Sequence, residues 1–243
     1  MAIIVFQHSP VDTIGLLGPA LRDRGHRLDF RRLDQLGAAG VPVDFDGVDA
    51  VIVLGGPQNV GDASPFLDAE MDYLRGAHAR QLAIVGICLG HQLVAAALGG
   101  EVGPAAKAEI GFVKVASTPP GQTDTILAGI PWNAPVFQSH AHEVKKAPPD
   151  STVLQSSPDC KVQSFRVGLR TYGFQYHFEC DAAAVENHLA TPFATNLIST
   201  LGLSAADIRA RATEHSDVIR RVSDRLCANI GSFMFPGFRK ARV

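Results

Sequence analysis

Leu82-Ala-Ile-Val-Gly86-Ile-Cys88-Leu-Gly90-His-Gln92-Leu93 is the stretch on which the fold of this chain turns. An apolar run, Leu82 to Val85, enters it and reads as a buried strand. A helical run from Leu89 to Leu98 leaves it and is stopped by Gly99-Gly100. Cys88 stands between two glycines in the form of a nucleophile elbow, with cysteine where hydrolases often carry serine. A nucleophile on so tight a turn adopts strained backbone angles, and side chains on the flanking residues would collide with neighbouring strands or with substrate. The following helix directs its N-terminal N–H groups at the sulfur, which favours a thiolate. The backbone N–H of Leu89 is placed to stabilise an oxyanion. Taken alone, Cys88 is equally well a buried structural thiol at a strand end.

Outward from this elbow the first hundred residues alternate strand and helix. Ile3 to Phe6 reads as a strand, Val11 to Arg24 as a helix with Gly25 as its C-cap, and His26 to Arg32 as a second strand. Asp49 to Leu54 is a third, running into Gly55-Gly56-Pro57. Ser64-Pro65 then opens a helix to about Arg80, with Ser64 as N-cap. This alternation predicts an α/β fold, a mostly parallel sheet with helices on both faces. From about residue 101 to 177 short β-like segments dominate, punctuated by prolines: Ile110 to Val115, Pro135 to Ser139, Thr152 to Gln155, Lys161 to Arg166 and Tyr172 to His177. They predict a small antiparallel extension that returns to the main sheet at 172–177. Beyond Asp181 the chain reads as helical, with a capping-box-like start at Ser204-Ala-Ala-Asp207. Ile208, Ala212, His215, Ile219, Val222 and Leu226 follow at helical spacing. The expected division is a catalytic unit over 1–190 and a helical extension over 191–243, packed on the same domain.

The 243 residues suffice for one large α/β domain. With 22 Lys plus Arg against 24 Asp plus Glu, the formal charge is −2, and the charges are scattered. That balance argues against nucleic acid or an anionic membrane surface as partner. Ala2 to Phe6 lacks a basic flank and reads as a first buried strand, not a signal peptide. No stretch approaches the ~18 apolar residues of a membrane span. Cys88, Cys160, Cys180 and Cys227 have neither metal-ligand nor disulfide-framework spacing, so free thiols in a reducing cytoplasm are expected, and no metal.

Far downstream, Tyr176-His177-Phe178-Glu179 offers a histidine and a carboxylate two residues apart. On a strand such residues face one side, so Glu179 can hold the imidazole tautomer while His177 reaches Cys88. Nucleophile, base and orienting acid are then all supplied. His8, His26, His78, His188 and His215 lack such partner chemistry and read as structural or solvated. The glycines at Gly55-Gly56-Pro57 would let backbone N–H groups approach a developing oxyanion, although a Gly-Gly-Pro is also an ordinary βα turn. Sites of parallel sheets form at the carboxyl ends of strands, which would bring Gly55, Cys88 and His177 to one cleft.

Together, Gly55-Gly-Pro57, Gly86-Ile-Cys-Leu-Gly-His-Gln-Leu93 and Gly173-Phe-Gln-Tyr-His-Phe-Glu179 resemble the class I glutamine amidotransferase family, over roughly residues 50–180. Glu109-Ile-Gly111 and Phe165-Arg166 look most like stand-alone relatives of the amidotransferase domain of GMP synthase. The resemblance implies flavodoxin-like layering and a glutamine-hydrolysing reaction. Cys88 would attack the side-chain amide to give a γ-glutamyl thioester and ammonia. His177 would protonate the departing ammonia and then activate water, with Glu179 orienting it. Gly56 and Leu89 would supply oxyanion N–H groups beside Gly55, and Gln92 matches a position that contacts glutamine. No cofactor is implied. Two departures stand out. The usual His-Pro-Glu is His177-Phe178-Glu179, and His140-Ala141-His142 lies where GMP-synthase relatives tend to carry His-Gly-Asp, making His140 and His142 candidate substrate contacts.

The chain carries neither a P-loop nor a Gly-x-Gly-x-x-Gly fingerprint. The leading expectation is therefore a stand-alone enzyme that hydrolyses glutamine, with a separate ammonia-consuming synthase as its candidate partner. A γ-glutamyl hydrolase or peptidase uses the same thioester chemistry on another γ-glutamyl compound. A non-catalytic regulatory protein on the same fold is the third reading. The tail, with the apolar Ser232 to Phe238, could pack on the core, mediate a homodimer or dock a partner.

Overall fold

A computed structural model describes residues 2–235 of the chain. Its strands in chain order are β1 (Ala2–Gln7), β2 (Leu28–Arg32), β3 (Val48–Val53), β4 (Ala83–Ile87), β5 (Glu101–Ser117), β6 (Asn133–Lys146), β7 (Ser151–Ser156), β8 (Ser164–Val167) and β9 (Thr171–Phe174). They form one sheet in the order β2-β1-β3-β4-β9-β8-β7-β5-β6. The first five in that order are parallel and the rest antiparallel. β9 is the join. It pairs parallel with β4, placing Gly173 opposite Gly86, and antiparallel with β8.

The short central strands are apolar at nearly every position because helices cover both faces. Alternation then gives each face its own core. Ile3, Val5, Ile52, Val85 and Ile87 point to one side, and Ile4, Phe6, Val51, Val53 and Ile84 to the other. Helices α1 (Leu17–Arg22) and α9 (Ser216–Asn229) pack on the first core, the latter through Val222, Leu226 and Cys227. The second is covered by α2 (Leu33–Leu36), α3 (Pro65–Ala79) and α4 (Leu89–Ala97). A short α5 (Pro119–Thr123) links β5 towards β6. Beyond the sheet, α6 (Ala182–Leu189), α7 (Pro192–Thr200) and α8 (Ala205–Glu214) bury Val185, Leu189, Leu197 and Ile208 against Ile110, Phe112 and Phe137 of the long antiparallel pair.

Several local expectations are corrected. The helix expected over 11–24 spans only Leu17–Arg22, because residues 9–16 form a loop held by its own side chains. Ser9 Oγ accepts from the N–H groups of Val11 and Asp12, and Gly15 takes φ +48°. A Cβ on Gly15 would come within 2.1 Å of the Glu179 carbonyl oxygen, which instead accepts from Leu16 N–H at 2.8 Å. Ser64 occupies the N-cap position of α3 without a side-chain bond to it, whereas Ser204 caps α8 through Ala206 and Asp207 N–H. The helical spacing from Ile208 to Leu226 is divided between two helices that meet at His215. The β-like segments of 110–115 and 135–139 extend into the long strands β5 and β6, whose register shifts between Pro104 and Glu109. In the tail, Met234 and Phe235 are buried while Phe233 is exposed; Phe238 lies outside the described residues.

Candidate active site

The C-terminal ends of β1, β3, β4 and β9 open onto one cavity of about 350 Å³. Its wall includes Gly56, Cys88, Leu89, Gln92, Ser139, His140, His142 and His177. Of the three strand ends expected to share one cleft, Cys88 and His177 line it, while Gly56 takes the place expected of Gly55.

Cys88 terminates β4 and precedes α4 with φ +53° and ψ −107°, a backbone conformation that is strained for any residue with a side chain. The flanking glycines are steric requirements. A Cβ at Gly86 would stand 2.4 Å from the Gly90 carbonyl oxygen, and one at Gly90 would stand 2.1 Å from that of Val53. Cys88 N–H is tied to the Phe174 carbonyl at 2.8 Å, and its Sγ lies 3.8 Å from the Ser139 carbonyl oxygen. The elbow is thereby held on its two sides by β9 and β6.

His177 and Glu179 lie past the end of β9, which stops at Phe174, and not on the strand where the sequence put them. An isolated bridge to Phe137, with His177 N–H donating to the Phe137 carbonyl at 2.9 Å, fixes the segment. The His177–Glu179 pair forms regardless, with Nδ1 2.7 Å from Glu179 Oε1 and both side chains almost wholly buried. Burial works against an imidazolium here, but the Glu179 carboxylate and then Cys88 outweigh it and hold the His177 pKa well above its ordinary value. Among the described residues His177 Nε2 has no hydrogen-bond partner.

The loop after β3 brings Gly56 to the cavity beside Leu89. Neither the Gly56 nor the Leu89 N–H donates to a protein group among the described residues. Gly55 itself is buried, and its carbonyl faces away, bonded to His8. On the opposite wall, Gln92 Nε2 donates to the His142 carbonyl at 2.8 Å and to Gln175 Oε1 at 3.1 Å. His140 spends both ring nitrogens within the protein, on the His142 carbonyl and on Glu109 Oε2, each at 3.0 Å. Glu109 also accepts from Ser157 and Gln163. His140 thus shapes the wall, while His142 is partly exposed at the cavity.

Residues assigned no site role from the sequence, His188 among them, complete the enclosure. Ser9 and Asp12 reach it from the loop after β1, and His188, Thr191, Pro192 and Phe193 come from α6 and α7. The His188 ring centroid lies 4.8 Å from that of His177, and its Nε2 lies 3.9 Å from Asp12 Oδ1. Burial and then the charge on His177 push His188 down to about 4, so it stays neutral. Cys180 Sγ lies 3.8 Å from Glu179 Oε1, and burial beside that carboxylate raises its pKa to about 12, keeping it a thiol. Small polar residues in a loop and a single histidine on a short helix leave no periodic signal by which such neighbours are found.

A strained cysteine, a hydrogen-bonded histidine–glutamate pair and two backbone N–H groups without a partner among the described residues thus meet at one end of an α/β sheet. The class-I glutamine amidotransferase family model matches residues 16–196, and the chain belongs to that family. It is 30% identical over 185 residues to the glutamine amidotransferase-like protein YfeJ of Salmonella typhimurium, covering 74% of this chain and 76% of that protein. To the glutamine-hydrolyzing GMP synthase subunit of Pyrococcus abyssi it is 36% identical over 132 residues, 53% of this chain and 65% of that one. A glutamine amidotransferase structure from Methylobacillus flagellatus superposes with a TM-score of 0.81 at 23% identity, covering 98% and 97% of the two chains. One from Thermotoga maritima gives 0.80 at 19%, covering 96% and 98%. These two likenesses concern the fold.

Proposed function

We propose that the protein hydrolyses the side-chain amide of glutamine through a γ-glutamyl thioester on Cys88, releasing ammonia and glutamate. The observation that carries this reading is the buried His177–Glu179 pair, charge-coupled to the elbow cysteine across a cavity with two unengaged N–H groups. Cys88 as thiolate attacks the amide carbon, and the oxyanion of the tetrahedral intermediate accepts from Gly56 and Leu89 N–H. The imidazolium of His177 gives its proton to the nitrogen, the C–N bond breaks, and ammonia leaves. Water then attacks the thioester while neutral His177 takes its proton, and the C–S bond breaks to free glutamate and Cys88. Glu179 holds the ring and stabilises its charged form throughout. Gln92 contacts the substrate through its amide oxygen, since its nitrogen is already engaged by the protein. His142 offers a further contact. His140 supports the wall through Glu109.

The runner-up is hydrolysis of another γ-glutamyl compound by the same steps. The exposed Phe193 and Pro192 at the rim favour it, because they offer apolar surface to a leaving group larger than ammonia. Ammonia and glutamate release from glutamine, run beside a panel of γ-glutamyl peptides and a Cys88→Ala control, decides. Cys88-dependent ammonia release supports the glutaminase; turnover of peptides alone replaces it with the peptidase. No turnover of any substrate, with Cys88 unreactive to alkylation, leaves the non-catalytic reading.

The wider reading is of a cytoplasmic enzyme, with a catalytic unit over 1–190 and the segment from 191 as an extension. The described part of that extension lends α7 to the rim of the cavity. No described helix is long and apolar enough to cross a membrane. Relatives named as part of GMP synthase make a separate ammonia-consuming synthase a reasonable partner, to be sought by co-purification. Sedimentation would test for a homodimer.

A further inference from the structure

Glu70 is out of place by sequence logic. On α3 it falls on the buried stripe with Leu67, Tyr73, Leu74 and Ala77, where an apolar residue is expected, and its side chain is fully buried. Its partner is His8, at the end of β1, with Nε2 2.8 Å from Glu70 Oε2 and equally buried. The other ring nitrogen, Nδ1, lies 3.1 Å from the Gly55 carbonyl oxygen. A carbonyl can only accept, so Nδ1 carries a proton and donates it. Burial opposes the charged ring, but Glu70, the Gly55 carbonyl and the more distant Asp12 outweigh it, and the His8 pKa stands above its ordinary value. Phe66 lies beside the imidazole, the ring centroids 6.3 Å apart and the planes 28° from parallel.

The consequence lies in the peptide unit. The carbonyl of residue 55 and the N–H of residue 56 belong to one planar trans peptide and point in opposite directions. A donor that seizes Gly55 O from the buried side therefore turns Gly56 N–H the other way, to the side where Gly56 lines the cavity with Cys88 and Leu89. Without Cβ atoms, a Gly–Gly peptide has little else to decide between its two faces. His8 also backs the loop sterically, since a Cβ on Gly56 would stand 2.6 Å from His8 Cβ.

We propose that His8, braced by Glu70, is a positioning residue that aims the Gly56 N–H into the oxyanion hole. This rests on the reading of Gly56 as an oxyanion donor. The buried pair is thereby more than a core ion pair, because it sets the direction of a catalytic donor while touching no substrate.

Kinetics and crystal structures of the wild type, His8→Leu, His8→Asn and Glu70→Gln test it. Asn can place an amide N–H near the position of Nδ1 but cannot reach Glu70. Removing one oxyanion donor lowers kcat by about 10²–10³-fold, which is the loss expected of His8→Leu, with KM changed by less than about threefold. His8→Asn should recover at least about tenfold of that, and Glu70→Gln, which keeps a hydrogen-bond partner for Nε2, should stay within about tenfold of wild type. The rate of Cys88 alkylation should stay near that of the wild type in all three. In the His8→Leu crystal the Gly55–Gly56 peptide should be turned over or populate both orientations. A His8→Leu kcat within about threefold of wild type, or a kcat loss matched by lost alkylation, overturns the proposal. If His8→Leu does not fold, the ranking and crystal structures of the other two variants decide in its place: His8→Asn below Glu70→Gln with the Gly55–Gly56 peptide perturbed supports it, and equal activity with the peptide unmoved overturns it. Should the wild type turn over no γ-glutamyl substrate, the hydrolase reading fails separately, and the peptide orientation alone decides: unmoved in the variants, it sinks the role given to His8.

Discussion

The two halves of the sheet build the two walls of the cavity by different means. On the parallel side, β3 and β4 are short and buried on both faces, and the site is made by the backbone: a strained cysteine, two glycines without room for a Cβ, and unengaged N–H groups. On the antiparallel side, β5 and β6 are long, and the wall is held by buried polar side chains. Glu109 gathers His140, Ser157 and Gln163, and His140 and Gln92 converge on the His142 carbonyl. Backbone geometry enforced by sterics resists change, whereas a polar network can be retuned one hydrogen bond at a time. On the proposed reading, the nucleophile and the oxyanion donors fall on the rigid half, and the substrate contact at His142 on the adjustable one.

The sharpest test of that division is removal of the nucleophile. Cys88→Ala should lower ammonia release by about 10⁵–10⁶-fold while thermal stability is little changed. Glu179→Gln should lower kcat by about 10³–10⁴-fold, as loss of an orienting carboxylate does elsewhere, with a smaller effect on KM. Gly90→Ala strikes the steric side directly: it should destabilise the fold by about 3 kcal/mol in urea melts, because Val53 backbone cannot yield to a Cβ. Across the cavity, Glu109→Gln should cost about 1–3 kcal/mol of stability and raise KM by about tenfold, leaving kcat within about threefold. A kcat loss in that variant larger than its KM change would break the comparison.

The smallest effect concerns pH. His177 has a folded-state pKa raised above its ordinary 6.5, so its contribution to stability is full below that value and is lost as pH rises through the raised one. The melting temperature of the wild type should therefore fall with rising pH above 6.5 more steeply than that of Glu179→Gln, in which the main raising charge is gone. Parallel slopes for the two proteins would show that Glu179 does not charge the ring.

The parallel half was legible because its constraints are local. Gly86 and Gly90 around Cys88, and an apolar run before them, record the elbow in consecutive residues. His177 and Glu179 were legible as a pair through their spacing, although the reason given, a shared strand face, was not the one the structure uses. The segment lies beyond β9 and is pinned by Phe137. The antiparallel half was only half legible. Proline-punctuated segments pointed to β structure but not to the length of β5 and β6, and nothing in the sequence joined Glu109 to His140 across 31 positions. Residues 11–16 of the loop read as helix because Gly15 gives no sign, in sequence, that Glu179 will press against it.

By itself, then, the sequence determined the alternating α/β order, the elbow at Cys88, and the pairing of His177 with Glu179. Each is written in neighbouring residues whose steric and hydrogen-bonding demands are satisfied within a turn or a strand. Tertiary structure alone decided which polar side chains meet. It placed His8 between Glu70, 62 residues away, and the Gly55 carbonyl, and it turned His140 inward to Glu109. Such meetings depend on the register of strands and the face of a helix. A buried polar group accepts whichever partner packing brings within about 3 Å.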